Sequence, residues 1–145
     1  MCYNTLHTGY TQRIQLKIYR YMMADRATSG KIPHYNIITW NVRGLSSVNK
    51  QRRVLTYLKR HKTQIAMLQE THMSQPGLKR MIRKCGGTLR GTTTSSFAKG
   101  VLIWISREVP YTVSNTIIDP DWRYVALEGV LAVRPLTLVA LYALI

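Results

Sequence analysis

A chain of 145 residues with 46% hydrophobic and 19% charged residues has the make-up of one globular domain, long enough to bury a core, and not that of a disordered or fibrous protein. Lysine and arginine number 21 against 6 acidic residues, a formal net charge of +15, which favours polyanionic partners. No apolar run is long enough to span a membrane, there is no basic amphipathic helix long enough to favour a membrane surface, and the two cysteines, Cys2 and Cys85, lie too far apart for metal-ligand spacing.

Residues 1–33 differ in pattern from the rest of the chain. Arg13 to Tyr21 alternates with period two, Ile14, Leu16 and Ile18 against Arg13, Gln15 and Lys17, which favours a short strand or an extended basic arm over a helix. The region reads as a basic N-terminal extension outside the core, poorly ordered, with a linker around Ser29-Gly30 and Pro33. A transit peptide is the alternative, against which its helical amphipathicity is weak. The domain proper is placed at residues 34–145.

Tyr35 to Trp40 is apolar and β-branched, hence a buried strand. Val42-Arg43-Gly44 turns the chain, with Gly44 available for an unusual backbone angle. Ser46 or Ser47 caps a helix over Val48 to His61, with Val54, Leu55 and Leu58 on one side and Lys50, Arg52, Arg53, Lys59 and Arg60 over much of the rest. Gln64 to Leu68 is a second strand, one helix after the first, the spacing of a right-handed βαβ unit. A second helix starts at Ser74-Gln75-Pro76, continues through Leu78, Met81 and Ile82, and stops at Gly86-Gly87. Beyond it come an edge strand within Thr88 to Thr94, then strands over Val101 to Ile105, Pro110 to Ile118, Trp122 to Val130 and Leu136 to Ile145, with a turn at Asp119-Pro120-Asp121 and a loop ending at Pro135. The order is βαβα followed by an antiparallel run. The last strand meets the C-terminus without a turn or cap, the pattern expected of a fragment of something larger.

In layered α/β folds, sites form beyond the carboxyl ends of strands. Asn41, Glu70 and Tyr142 each sit at such an end or one step past it, and Glu70 is the only carboxylate between Arg26 and Arg107. An amide, a carboxylate and a phenol on one rim can orient a phosphate and stabilise charge on it, with Glu70 holding a magnesium ion. Taken singly, each residue has a plainer role. A glutamate in so basic a segment serves as an ion-pair acceptor, an asparagine after a strand as a turn former, and a strand tyrosine as packing. His72 reads first as a turn-supporting histidine, close enough to Glu70 to touch substrate. The assignment requires Asn41 and Glu70 to share one rim.

Together, Thr39-Trp40-Asn41-Val42-Arg43-Gly44-Leu45 and Met67-Leu68-Gln69-Glu70-Thr71-His72 resemble the first two motifs of the endonuclease/exonuclease/phosphatase superfamily. The Gln-Glu-Thr-His form is similar to the endonuclease domain that opens the reverse-transcriptase proteins of non-LTR retrotransposons of the long interspersed type. Lys99-Gly100-Val101-Leu102-Ile103, Arg123-Tyr124-Val125 and Leu138-Val139-Ala140-Leu141-Tyr142-Ala143 fit later strands of the same domain. The resemblance implies an α/β (α+β) fold, here the truncated half of a four-layer αββα sandwich, with a mixed, mostly antiparallel sheet and helices on one face. It also implies metal-dependent phosphodiester hydrolysis, usually with Mg2+, DNA as substrate and, through DNA, a nuclear location. By matching position, Asn41, Glu70 and Tyr142 would be catalytic and Glu70 the metal ligand, while Arg43, Lys50, Arg52 and His72 would contact nucleic acid.

The departures from the pattern are specific. Arg43 stands where relatives often have Asn or Asp, and Leu144-Ile145 replaces the usual Pro-Asn. The family's Asp-x-Asn and closing Asp-His pairs have no counterpart in the sequence, so the expectation is a family member that is inactive, or nearly so, alone. A non-catalytic basic nucleic-acid-binding remnant is the alternative, and an interaction module without catalytic role a third. Half a sandwich is further expected to leave one sheet face uncovered, to self-associate through it or to need the missing half, and to melt with poor cooperativity.

Overall fold

The computed structural model describes residues 16–22, 34–93 and 99–142, the first of these as backbone only. The elements, in chain order, are β1 (Leu16–Met22), β2 (His34–Asn41), α1 (Val48–Arg60), β3 (Ile65–Gln69), α2 (Gln75–Lys84), β4 (Gly87–Gly91), β5 (Val101–Ser106), β6 (Tyr111–Ile118), β7 (Tyr124–Leu131) and β8 (Arg134–Leu141). The period-two stretch of the N-terminal region is a strand, paired antiparallel with β2 from Leu16 opposite Trp40 to Met22 opposite His34. The rest of residues 1–33, Cys2 included, lies outside the described residues.

Two sheets form. The first has the order β1-β2-β3-β5-β4 and the second the order β6-β7-β8. The β2–α1–β3 passage is the parallel unit expected from the spacing, with Asn41 opposite Gln69, and every other pairing is antiparallel. Local chemistry sets the helix ends. Ser47 caps α1 by accepting from the Lys50 amide, and Ser74 caps α2 by accepting from the Gly77 amide, with Pro76 in the first turn where no amide proton is needed. Both helices finish on basic residues, Lys59 and Arg60 in α1 and Arg83 and Lys84 in α2, which the carboxyl-end dipole favours.

Alternation along the central strands divides the core in two. Ala66 and Leu68 of β3 and Leu102 and Trp104 of β5 face the helices, where they meet Val54, Leu58, Leu78 and Met81. Ile65 of β3 and Val101, Ile103 and Ile105 of β5 face the second sheet and meet Val125, Leu127, Leu138 and Ala140. All five residues from Val101 to Ile105 are buried because β5 lies inside the first sheet with a layer on each side. The Trp104 indole N–H donates to the Cys85 carbonyl at 3.0 Å, and the buried Cys85 thiol is free.

The arrangement is therefore three layers, helices on sheet on sheet, and it differs from the expectation in where apolar surface is left open. The first sheet's inner face is covered by β6–β8. The exposed apolar face is the outer one of the second sheet, where Ile117 and Val139, on either side of Ala126, and Val130 and Leu141 stand in solvent, Leu141 at 58% of its full exposure. Pro135 belongs to β8 rather than to a loop. Paired with Val130 on an edge strand, it forfeits no ladder bond that a second neighbour would need.

Leu127 is fully buried between the sheets. Leu127→Ala should cost about 2–5 kcal/mol in urea unfolding, as cavities in such cores do, whereas Val139→Ser on the open face should stay within about 0.5 kcal/mol of the parent.

A candidate active site on the carboxyl-end rim

The site is built by two strands that keep pairing after they stop being strands. Beyond β2 and β3 the parallel ladder continues loop to loop: the Val42 amide donates to the Gln69 carbonyl at 3.0 Å, Gly44 to Glu70 at 2.5 Å, and Leu45 to Thr71 at 2.6 Å. On the other side, the antiparallel β3–β5 ladder runs on through Thr71 to Gly100 at 3.0 Å and His72 to Lys99 at 2.9 Å. Glu70, Thr71 and His72 are thus held between two neighbouring loops, and this bonding does not depend on their side chains.

This geometry demands unusual backbone angles. Among the described residues six non-glycine residues have positive φ, and four of them, Arg43 (48°), Glu70 (50°), His72 (47°) and Trp122 (56°), lie on this rim. Such angles are costly for side-chain-bearing residues and persist only where surrounding bonds impose them, most often at functional sites. Two glycines complete the packing. Gly44, at φ 93°, lets the His72 ring approach, and Gly100, at φ 118°, leaves room for Thr71, whose Oγ1 would lie 2.6 Å from any added Cβ.

Asn41 and Glu70 meet. The Asn41 side-chain amide donates to Glu70 Oε1 at 2.8 Å, and Asn41 Oδ1 accepts from the Arg43 amide at 3.1 Å, so both ends of the asparagine side chain are engaged and its orientation is set. Tyr142, one residue past β8, comes to the same place from the second sheet. Burial raises the pKa of its phenol above the ordinary value, and the nearby Glu70 carboxylate raises it further. The hydroxyl is therefore a neutral donor at physiological pH. The three residues come from three chain segments and two sheets, and the half-buried carboxylate is the point where they converge.

The four residues expected to contact nucleic acid divide. Arg43, exposed, stands on the loop beside Glu70, and His72 on Glu70's own loop two residues on. Lys50 reaches back from α1 to donate to the Arg43 carbonyl at 2.6 Å, so its ammonium braces the β2–α1 loop; burial, then the Arg43 charge, lowers its pKa. Arg52 is elsewhere. It lines a groove of about 170 Å3 between the two helices with Gln51, Leu55, Lys59, Met81 and Lys84. Its neighbours along α1 mislead because residues two apart on a helix point to different sides.

The sequence reading missed the β6–β7 loop. Arg123 donates from Nε to Asp119 Oδ2 at 3.0 Å and pairs with Asp121 at 3.1 Å, while its backbone amide also donates to Asp119 Oδ2 at 3.0 Å. Its carbonyl accepts from the Tyr142 amide at 2.7 Å, which ties this loop to the residue behind β8. Read only as a turn, Asp119-Pro120-Asp121 carried the signal in its paired acids, four and two residues ahead of an arginine.

Among the described residues no three histidine, cysteine or carboxylate groups cluster as a ready-made metal cage. One carboxylate oriented by an amide does suit a hard cation such as Mg2+, which takes oxygen ligands and commonly completes its shell with water and substrate phosphate.

A family model described as the Endonuclease/Exonuclease/phosphatase family matches residues 38–142, from β2 to the tyrosine behind β8. Two solved structures share the fold. A humanized D. rerio TDP2 carrying 14 mutations matches with a TM-score of 0.52 at 18% identity, over 71% of this chain and 47% of that one. D. rerio TDP2 complexed with single strand DNA product matches with the same score and identity, over 71% of this chain and 43% of that one. The chain spans less than half the length of either.

The Asp119 carboxyl is held below the usual carboxylate range, mainly by the hydrogen bonds from the Arg123 side chain and backbone. A depressed folded-state pKa gives stability that is full above the ordinary aspartate value and lost as pH falls through the folded one. Melting temperatures followed on acidification should therefore fall for the parent, and Asp119→Asn, already less stable near neutrality, should lose that part of the acid dependence.

Proposed function

Because the chain belongs to the endonuclease/exonuclease/phosphatase family, whose enzymes generally use divalent metal ions, we propose that the rim around Glu70 is the metal-binding part of a DNA-directed phosphodiesterase of retrotransposon endonuclease type. The observation that carries this reading is the Asn41 amide bonded to the Glu70 carboxylate at the carboxyl ends of the strands, with Tyr142 beside it. The Gln69-Glu70-Thr71-His72 sequence supports the retrotransposon subtype, and the single-stranded DNA held by one of the fold neighbours supports DNA as the ligand. A nuclear location follows from that substrate, and the domain is taken as residues 34–145 together with β1, which adds an edge strand to its first sheet.

In this reading Glu70 holds Mg2+, which supplies a positive charge to a phosphate oxygen. Asn41 holds one carboxylate oxygen and so limits the rotation of the group. Tyr142 keeps its proton because burial and Glu70 both oppose ionisation, and it offers that proton as a hydrogen bond where negative charge accumulates. Arg43 and the +15 net charge draw the phosphate backbone to the rim.

The chain alone binds more than it cuts. Its two other rim acids, Asp119 and Asp121, are both paired with Arg123, so neither stands ready to take a proton from an attacking water. A non-catalytic nucleic-acid-binding role is the second reading, favoured by the single engaged carboxylate within a strongly basic chain. With supercoiled plasmid and Mg2+, the expected outcome is DNA binding that weakens steeply with salt and no nicking that Glu70→Ala abolishes. Glu70-dependent nicking would overturn the inactivity and establish the first reading outright. Absence of DNA binding at physiological salt would sink both.

A further inference from the structure

Trp122 takes no part in the Asn41, Glu70 and Tyr142 cluster, yet it sits on the same rim. It is half-buried, and its φ of 56° lies where bulky residues are seldom found. Its amide donates to the Asp119 carbonyl at 2.9 Å, and Arg123, the next residue, is clamped to Asp119 and Asp121. The backbone that carries the indole is thus fixed from both sides in sequence. The Lys99 ammonium lies 5.9 Å from the ring centroid, in cation–π range.

Both residues are tied to the site by backbone bonds. Lys99 accepts from the His72 amide, two residues past Glu70, and Arg123 accepts from the amide of Tyr142. A buried tryptophan needs no such explanation, and Trp104 at 3% exposure is packing. A half-buried one, on a fixed backbone at a basic rim beside a lysine, has the parts that single-strand binders use, an aromatic plane for a base and a cation for its phosphate. A paired base already stacks on its neighbours within the duplex and cannot offer a face to a side chain.

We propose that Trp122 and Lys99 form a stacking subsite for one unpaired base and its phosphate, so that the rim selects DNA with single-stranded character next to the phosphodiester at Glu70. This rests on the DNA-directed reading of the rim.

The test titrates the full chain with a short oligothymidine, without divalent metal, and follows tryptophan emission together with the anisotropy of labelled oligonucleotide. Saturable quenching is expected in the parent and absent in Trp122→Phe, which keeps a π-face and most of the affinity. Trp122→Ala should weaken oligothymidine binding by at least about fivefold and leave binding of a duplex of equal length nearly unchanged. Lys99→Gln should reduce the slope of log affinity against log salt by about 0.7. Should Trp122→Ala fail to fold, Trp122→Leu, with bulk but no π-face, reads the same loss. Oligothymidine binding at parental strength by the Ala or Leu variant, or equal losses for single strand and duplex, would overturn the subsite. Plasmid nicking measured on the same preparations separates the two ideas. Trp122-dependent binding without Glu70-dependent nicking is the expected pattern, parental binding by the Trp122 variants removes only the stacking subsite, and absence of DNA binding by the parent removes the DNA-directed reading on which it rests.

Discussion

The structure turns on the pairing of β2 with β3, and on the fact that this pairing does not end where the strands do. Parallel neighbours deliver equivalent positions to one end of a sheet, so the register that puts Asn41 opposite Gln69 also puts the next residue, Glu70, within reach of the Asn41 amide. The three loop-to-loop bonds from Val42, Gly44 and Leu45 carry that register past the last strand residue. A site made this way inherits its precision from the sheet. The α1 helix contributes from behind, where buried Gln51 donates to the Leu45 carbonyl at 2.8 Å and Lys50 holds the Arg43 carbonyl, so the turn is fixed on its helical side as well.

The second sheet completes the rim. Its β7 and β8 strands pack on β3 and β5 through Val125, Leu127, Leu138 and Ala140, and it is this apolar contact that brings Tyr142 over to Glu70. Core and site are coupled in consequence: the same layer contact that removes apolar area from water sets the distance between a phenol and a carboxylate. The Asp119–Arg123 clamp then links the third approach to the rim, through the Arg123 carbonyl, to the tyrosine's own backbone.

Much of this was legible in the sequence, for identifiable reasons. The β-branched run before Asn41, the serines ahead of both helices and the spacing of one helix between two apolar runs are local signals, and the elements fall within a residue or two of where those signals put them. Asn41 and Glu70 could be paired because strand ends in a βαβ unit are neighbours by geometry alone. What the pattern could not convey was how the later strands associate. Alternation in β6, β7 and β8 reveals two faces but not which sheet a strand joins, so a second sheet, and the solvent-facing side of it, had no signature of its own. Arg52 was grouped with the rim residues on charge alone, which says nothing about azimuth on a helix, and it lies in the groove between the helices. Trp122 was overlooked because an aromatic at the edge of an alternating run looks like the first residue of a strand, and its left-handed angle is imposed by the Asp119–Arg123 bonds.

The zipped loops carry a consequence for how a ligand would be met. Amides at Val42, Gly44, Leu45, Thr71 and His72 are all committed to neighbouring backbone, so the rim has little slack with which to mould itself around a visitor. If the ligand is the nucleic acid proposed above, any shape adjustment falls to it, since its flexible steps and frayed ends deform at lower cost than stacked, stiff ones. Discrimination between targets would then come from the mechanics of the polymer as much as from the identity of its bases.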